Sequence, residues 1–479
     1  MPERRTLPAW KVLPPSLVVM ARPGALGAPS NVSPLDAPLR SILRKHGGAL
    51  VPAFDPRAHG RPVQVESAVR GAGRLQLFYN VTAPRERLED LSGELREHDD
   101  VAAAFMKPPV YPASFNQESL LPLADAPPTS TADFSDRQGY MAPAPEGVDA
   151  RYAWTKPGGG GEGIQIIDVE GAWQFTHEDL QGNHGGLSGG DANDDVHWRN
   201  HGTAVMGVFS GNRNGFGVVG IAPEAQVRAV SRFGIGTAKA IQLAADLLNP
   251  GDVLLIELHQ PGPRFTFGEP SGQAGFIAVE WWPDVHAAIQ YAVGKGVTVV
   301  EAAGNGSEDL DDALYDQGPA APWGPFPDGW ANPFRGGGAD SGAILVGAGA
   351  PPPGTHDRDH GPDRSRLGFS NFGSRVDAQG WGEEVTTCGY GTLQGGDSED
   401  LWYTDQFSGT SSASPIVVGA VACVQGVLRA AGKTQLAPIA MQGLLRTLGS
   451  SQTARASEAV LERIGMRPDL RAMLDAMGA

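Results

Sequence analysis

Two cysteines in 479 residues, Cys388 and Cys423, are too few for a disulfide scaffold or a cysteine-ligated zinc site. Both read as small buried hydrophobes, Cys423 within the apolar helical run 417–428. Basic residues are scarce: 37 Lys and Arg against 54 Asp and Glu leave a net charge of −17, the wrong sign for a nucleic-acid binder. No apolar run approaches the ~18–20 residues of a membrane span. A secretory leader is not expected either. Pro14-Pro15 breaks the first apolar stretch and leaves only Leu17–Ala21 uninterrupted, so the chain reads as cytoplasmic as synthesised, with a non-Sec export route open. Glycine and proline are plentiful, 65 and 39, yet stay below the low-complexity range. Hydrophobic content of 41% supplies a real core in a loop-rich globular chain.

The charge is unevenly spread. Residues 1–112 carry fifteen Lys and Arg against eleven Asp and Glu, a net of +4; residues 113–479 carry a net of −21. Opposite signs predict two bodies that dock. The first reads as strand (16–22), helix (34–47), strand (49–54), strand (74–81), helix (84–97) and strand (101–106). This βαβ–βαβ order predicts a small ferredoxin-like α/β sandwich. Residues 113–137, rich in Ser, Pro, Ala and Asp without periodicity, read as a linker. From 138 to 479 the chain alternates helical stretches (202–210, 237–248, 284–293) with continuous apolar strands (164–169, 227–230, 253–258, 297–302, 343–347). That pattern predicts a doubly wound, mostly parallel sheet with helices on both faces.

Chemistry gathers at strand ends and helix starts, where open α/β sheets bind ligands. Asp168 ends the strand Ile164–Ile167. Asn200-His201-Gly202-Thr203 opens a helix and can aim an imidazole at a cleft. Glu301-Ala302-Ala303-Gly304-Asn305-Gly306 runs a strand into a glycine turn with a side-chain amide. Phe407-Ser408-Gly409-Thr410-Ser411-Ser412-Ala413-Ser414-Pro415 leads into an apolar helix. Taken singly, the first three are a cap, an N-terminal histidine and a turn asparagine. The fourth is sharper, because a serine-rich cap explains the helix start but not the run Gly-Thr-Ser-x-Ala-x-Pro.

In this order the four segments resemble the subtilisin-like serine peptidases (subtilases), and Gly217-Val218-Val219-Gly220-Ile221-Ala222-Pro223 extends the likeness over roughly 140–465. The resemblance implies a serine endopeptidase with Ser411 as nucleophile, His201 as general base and acid, and Asp168 orienting the imidazole. The Asn305 amide and the Ser411 N–H would form the oxyanion hole. It also implies that residues 1–112 are an inhibitory prodomain, the chain's own partner beside protein and peptide substrates, with processing between about 107 and 138.

Departures sharpen the expectations. The usual Asp-Ser/Thr-Gly is Asp168-Val169-Glu170-Gly171, with extra residues before Thr176-His177-Glu178-Asp179-Leu180. Ile256-Glu257-Leu258-His259 replaces the usual substrate-pairing Ser-Leu-Gly. Glu257, Leu258, Ala303 and Gly304 are therefore candidate substrate-binding residues, and Glu257 with Glu280 and Glu301 predicts an acidic cleft that favours a basic P1 group. The competing reading of Glu257 is a carboxylate bonded to local backbone. The intact His201 segment weighs against the sedolisin pattern, which uses a glutamate base. The long segments 259–282 and 306–341, holding four of the ten tryptophans, are expected to wall the cleft. No cofactor is expected for the chemistry; structural calcium is common in the family, and 191–195 and 308–312 are acidic clusters of suitable type. The rival functions are a narrow or self-limited processing protease and a peptide-binding pseudoprotease.

Overall fold

The computed structural model describes residues 14–25, 37–54, 75–114, 130–455 and 461–478. Most of the expected linker, 115–129, lies outside them, as do the first residues expected for the helix at 34–47 and the strand at 74–81.

The N-terminal body has strands β1 (Ser16–Ala21), β2 (Ala49–Pro52), β3 (Phe78–Thr82) and β4 (Val101–Lys107), with helices Ala37–Lys45 and Leu88–Arg96. The sheet order is β2-β3-β1-β4, antiparallel throughout. Leu39, Leu43, Leu88, Leu91 and Leu95 sit at helical spacing and close over Leu17, Val19, Ala104 and Met106 of the sheet. Past β4 the chain does not turn into a loop. Tyr111–Pro112 (β5) becomes the edge strand of a three-stranded antiparallel sheet with β10 (Leu258–Pro261) and β11 (Phe276–Ala278).

The large body is built on seven parallel strands: β6 (Gln165–Glu170), β7 (His184–Leu187), β8 (Gln226–Ser231), β9 (Val253–Ile256), β12 (Thr298–Ala302), β13 (Ile344–Gly349) and β14 (Ala378–Trp381), in the order β14-β13-β12-β9-β6-β8-β7. The apolar runs alternate between two cores. Ile166, Val253, Leu255, Val300 and Val346 face the helices Val196–Ser210 and Thr410–Ala430. Ile167, Val169, Leu254, Ile256, Val299 and Leu345 face the helices Thr237–Leu247 and Pro283–Gly294. Both faces of a parallel sheet are thus covered.

The helix Thr410–Ala430 passes a length and composition test for a membrane span, contrary to the sequence expectation, but its apolar window is wholly buried in the core. Pro415 lies in its second turn rather than its first, so it leaves the Ser411 carbonyl without a helical N–H partner.

The two bodies share a buried interface. Lys107 Nζ is 2.7 Å from Asp284 Oδ2, with both side chains nearly inaccessible. Phe105 of β4 enters an aromatic cluster made with Trp282 and Phe326, which extends to Trp281 and Trp330. Met106 N donates to Pro322 O at 3.2 Å. Much of the two tryptophan-bearing segments therefore receives the N-terminal body rather than walling a cleft.

Candidate active site

Ser411 begins the long core helix because Gly409, at φ 115°, reaches a backbone conformation closed to other residues and swings the chain from the strand Tyr403–Phe407 into the helix. The first-turn N–H of Ser411 has no helical partner. It donates to Ala113 O at 3.1 Å, and Ser411 Oγ donates to the same oxygen at 2.7 Å. Ala113 follows β5 directly. Its N–H donates to Glu257 O at 3.3 Å, while Pro112 and Tyr111 stand opposite Leu258 and His259. Ser114 bridges to Gly409, and its hydroxyl is hydrogen-bonded to Tyr390. The Ala113–Ser114 peptide bond therefore lies across the serine, held on both sides by backbone pairing.

His201 projects from the helix Val196–Ser210, which is capped by Asp195 accepting from His197 N and Trp198 N. The imidazole is buried edge-on to Phe407. Its Nδ1 lies 2.6 Å from Oε2 of Glu170, not of Asp168. This corrects the sequence expectation. Asp168 and Glu170 are two apart on β6 and share a face, but Asp168 is one residue pair deeper in the strand, where its Oδ2 accepts from Trp173 Nε1 at 2.8 Å. The signal was present: β6 carries a second carboxyl, Glu170, two residues after Asp168 and on the same face. His201 Nε2 is buried and has no hydrogen-bond partner among the described residues. Burial lowers the imidazole to about 3, with the charge of Asp168 opposing it, so the ring is held neutral.

Asn305 is placed by Gly304, whose φ of 97° and 2.7 Å clearance from Asn371 Nδ2 exclude a side chain. Asn305 Oδ1 accepts from Thr410 N and Thr410 Oγ1 at 2.9 and 2.8 Å, which fixes the amide beside Ser411. Its Nδ2 donates to Gln273 Oε1 at 3.2 Å. Gln273 was not singled out from sequence, and no motif marks it.

The candidate substrate-binding residues divide. Leu258 and the Glu257 carbonyl pair with the 111–113 segment. Ala303 N bonds Val346 O and Gly304 N bonds Thr410 Oγ1, so both turn residues spend their N–H groups within the large body. The Glu257 side chain is fully buried and does not enter a cleft. Its Oε1 lies 2.6 Å from Ser414 Oγ, which also lies 2.8 Å from Thr410 O. Burial pushes the Glu257 carboxyl up, and Ser414 Oγ, donating to Glu257 Oε1, opposes that shift. Glu280 and Glu301 are likewise buried, in a network with Ser341 and Arg375. The acidic cleft expected from sequence is therefore absent at these three positions.

The long segment 259–282 shapes the wall beside Ala113. β11 lies against β10 on the side away from β5, and its other edge meets the 304–306 turn: Gly275 N donates to Gly306 O at 2.9 Å, and Asn371 Nδ2 ties Phe276 O to Ala303 O. A Cβ on Gly306 would fall 2.1 Å from Phe276 O. The His259 ring packs on Phe276 and accepts from Asn305 N. Ala113 itself is fully buried among these residues.

In the acidic stretches considered for calcium, protein donors hold several of the carboxylates. Arg264 binds Glu308 and Asp312, Ser374 binds Asp311, and Asp195 is a helix cap. Among the described residues, His360, Glu383 and Glu384 stand close enough to share a metal, but Arg358 already neutralises Glu384.

A serine at a helix start, a neutral imidazole held by a carboxylate, and a peptide carbonyl on the serine define a serine hydrolase built on a doubly wound sheet. The subtilase family profile matches residues 145–466, and the chain belongs to that family of serine peptidases. It is similar to an intracellular serine protease of Paenibacillus polymyxa, 27% identical over 302 residues, covering 61% of this chain and 74% of that protein. It also resembles an extracellular protease of Xanthomonas campestris pv. campestris, 27% identical over 65% of this chain and 50% of that one. A calcium-dependent protease of Trichormus variabilis matches 24% of this chain at 33% identity. Among solved structures, fervidolysin of Fervidobacterium pennivorans aligns over 96% of this chain and 61% of its own, at TM-score 0.54 and 17% identity. The epidermin leader peptide processing protease of Staphylococcus aureus aligns over 98% and 99%, at 0.55 and 17%. These likenesses show the fold.

Proposed function

We propose that this chain is a narrow-specificity serine endopeptidase made as a self-covering precursor, with Ser411, His201 and Glu170 as its catalytic triad and Ala113–Ser114 as its own processing site. The observation that carries the reading is the Ala113 carbonyl on both Oγ and N of Ser411.

The chemistry follows from the donors. Glu170 accepts the Nδ1 proton, which leaves the Nε2 lone pair to take the Ser411 hydroxyl proton as Oγ attacks the Ala113 carbonyl carbon. The tetrahedral oxyanion is met by Ser411 N–H and by Asn305 Nδ2 once that amide leaves Gln273. His201 then passes its proton to the Ser114 nitrogen, and water hydrolyses the Ala113 acyl-enzyme by the same route. Ala113 stands at P1. The tight wall of His259, Ala303 and β11 favours peptides with a small P1 residue in place of the basic group expected from sequence. Residues 1–112 act as the inhibitor, docked through Lys107 and Phe105. Protein and peptide substrates are the partners, with no nucleic acid. The chemistry uses no cofactor. Compartment follows from neither relative, since one is named intracellular and the other extracellular.

N-terminal sequencing of wild type and Ser411→Ala tests the reading. Wild type is expected to yield a new terminus at Ser114 and a fluorophosphonate adduct on Ser411, whereas the variant stays intact. A protein that takes no label after removal of residues 1–113 is a peptide-binding pseudoprotease, and the proposal falls.

A further inference from the structure

Between β10 and β11 the chain makes a closed loop, 262–275. Gly262 N donates to Gly275 O at 2.8 Å, and Phe267 N donates back to Gly262 O at 3.0 Å. Phe267 anchors the loop, buried against Trp281, Trp282 and Trp323. Two residues further on, Glu269 stands exposed at the rim. Its Oε1 accepts a hydrogen bond from the hydroxyl of Tyr111.

Tyr111 lies on β5, two residues before Ala113, and is opposite His259 in the antiparallel ladder. His259 is in turn opposite Ala278 of β11, and Phe276 is two residues before Ala278. Residues directly opposed across strands share a face, as do residues two apart along one strand. Tyr111, His259 and Phe276 therefore stand on one face of the three-stranded sheet. The rings agree: the Tyr111 centroid is 5.7 Å from that of Phe276, and the His259 centroid is 4.8 Å from it. The Tyr111 side chain is thus buried with its ring on Phe276 and its polar tip on Glu269. β11 and the loop before it make a second pocket along the covering strand, with an aromatic wall and a carboxylate at its end.

We propose that Glu269 is a specificity-determining residue: it selects an aromatic side chain with a hydroxyl tip, a tyrosine, two positions before the P1 residue. The proposal rests on the peptidase reading above, which puts Ala113 at P1 and so Tyr111 at P3. Phenylalanine would lay the same ring on Phe276 and bring no donor to Glu269, so the choice between the two lies in the hydroxyl alone. A site that buries its acceptor rejects the analogue lacking a hydroxyl by ~10⁴-fold or more. Glu269 is exposed and water takes the place of a missing donor, so a preference of ~10-fold is expected here.

The full chain is produced as wild type, Glu269→Ala, Glu269→Gln and Ser411→Ala, and the first three are left to complete self-cleavage. Peptides repeating residues 108–116 carry either Tyr or Phe at the place of Tyr111. Their kcat/KM is measured at protein concentrations low enough for the cut N-terminal part to dissociate. Wild type is expected to favour the Tyr peptide by ~10-fold, mainly through KM. In Glu269→Ala that ratio should fall to about 1. Glu269→Gln keeps an acceptor without the carboxylate and is expected to retain a ratio of about 3. Equal cleavage of the two peptides by wild type overturns the proposal. So does an alanine variant that keeps the wild-type ratio at whatever absolute rate, because Glu269 then only supports the loop. If Glu269→Ala does not fold, shown by its melt, a glutamine variant at the full wild-type ratio overturns it instead. Failure of the peptidase reading is separate: wild type then cuts neither peptide, or Ser411→Ala cuts both as well.

Discussion

Glu170→Gln keeps the side-chain shape and removes the charge that His201 needs while it carries two protons. It is expected to lower kcat by about 10⁴, as loss of the triad acid does elsewhere, with the melting temperature as the control for folding. Asn305→Ala removes one oxyanion donor and is expected to cost ~10²–10³ in kcat with little change in KM. At this scale the sequence was legible where a residue type and its local motif determine position. Ser411 and Asn305 each follow a turn that glycine shapes, whereas His201 lies in the second turn of the helix Val196–Ser210 that its segment was expected to open. The acid was not, because β6 has two carboxyls on one face and a period of two cannot say which meets the imidazole. Glu257 was unreadable for a related reason: its strand pairs with the covering segment through backbone groups, and only the packing of Ser414 behind it shows where the side chain goes.

At the scale of elements, β11 matters most. Its three residues fill the space between β10 and the 304–306 turn, so a large P1 side chain must displace close-packed backbone. Peptides with alanine at P1 are expected to exceed their phenylalanine counterparts by at least ~10²-fold in kcat/KM, and Ala113→Phe is expected to slow self-cleavage on a gel time course. The segment 259–282 was visible from sequence as long, but its return as a paired strand was not, since Phe276–Ala278 is too short to carry a period. By contrast five of the seven parallel strands were readable as apolar runs, because burial on both faces needs no alternation; β7 and β14, HGGL and AQGW, carry no such run. A loop element sets a separate pH dependence. Burial raises the Glu384 carboxyl, but bonds from His356, His360 and Arg358 outweigh it and hold the group at about 2. A folded value below the unfolded one contributes stability above the ordinary glutamate range, and that stability is lost as pH falls through it toward 2. Glu384→Gln should therefore melt below wild type at pH 7, with the gap narrowing below pH ~4 and closing only near pH ~2 in a calorimetric series.

For the whole molecule, the basic first body and acidic second one meet through a few buried groups more than through a broad field. Lys107 and Asp284 are both inaccessible, and removing one partner of such a pair leaves the other charged and dry, at a cost of about 3–5 kcal/mol. Lys107→Ala is expected to leave the cut N-terminal part unable to co-elute with the rest on gel filtration, while wild type co-elutes. The charge split was plain in the composition; the ion pair was not, because its members are 177 positions apart.

The covering segment β5 is continuous with the body that docks it, and this fixes how activity can arise in time. Before the cut, Ala113 meets Ser411 at an effective concentration set by the tether, independent of how much protein is present. After the cut the two parts separate as a bimolecular equilibrium. Cleavage at 113–114 should thus proceed at the same rate at any dilution, whereas the lag before foreign peptides are hydrolysed should depend on it. One chain therefore carries two clocks, the first blind to concentration and the second governed by it.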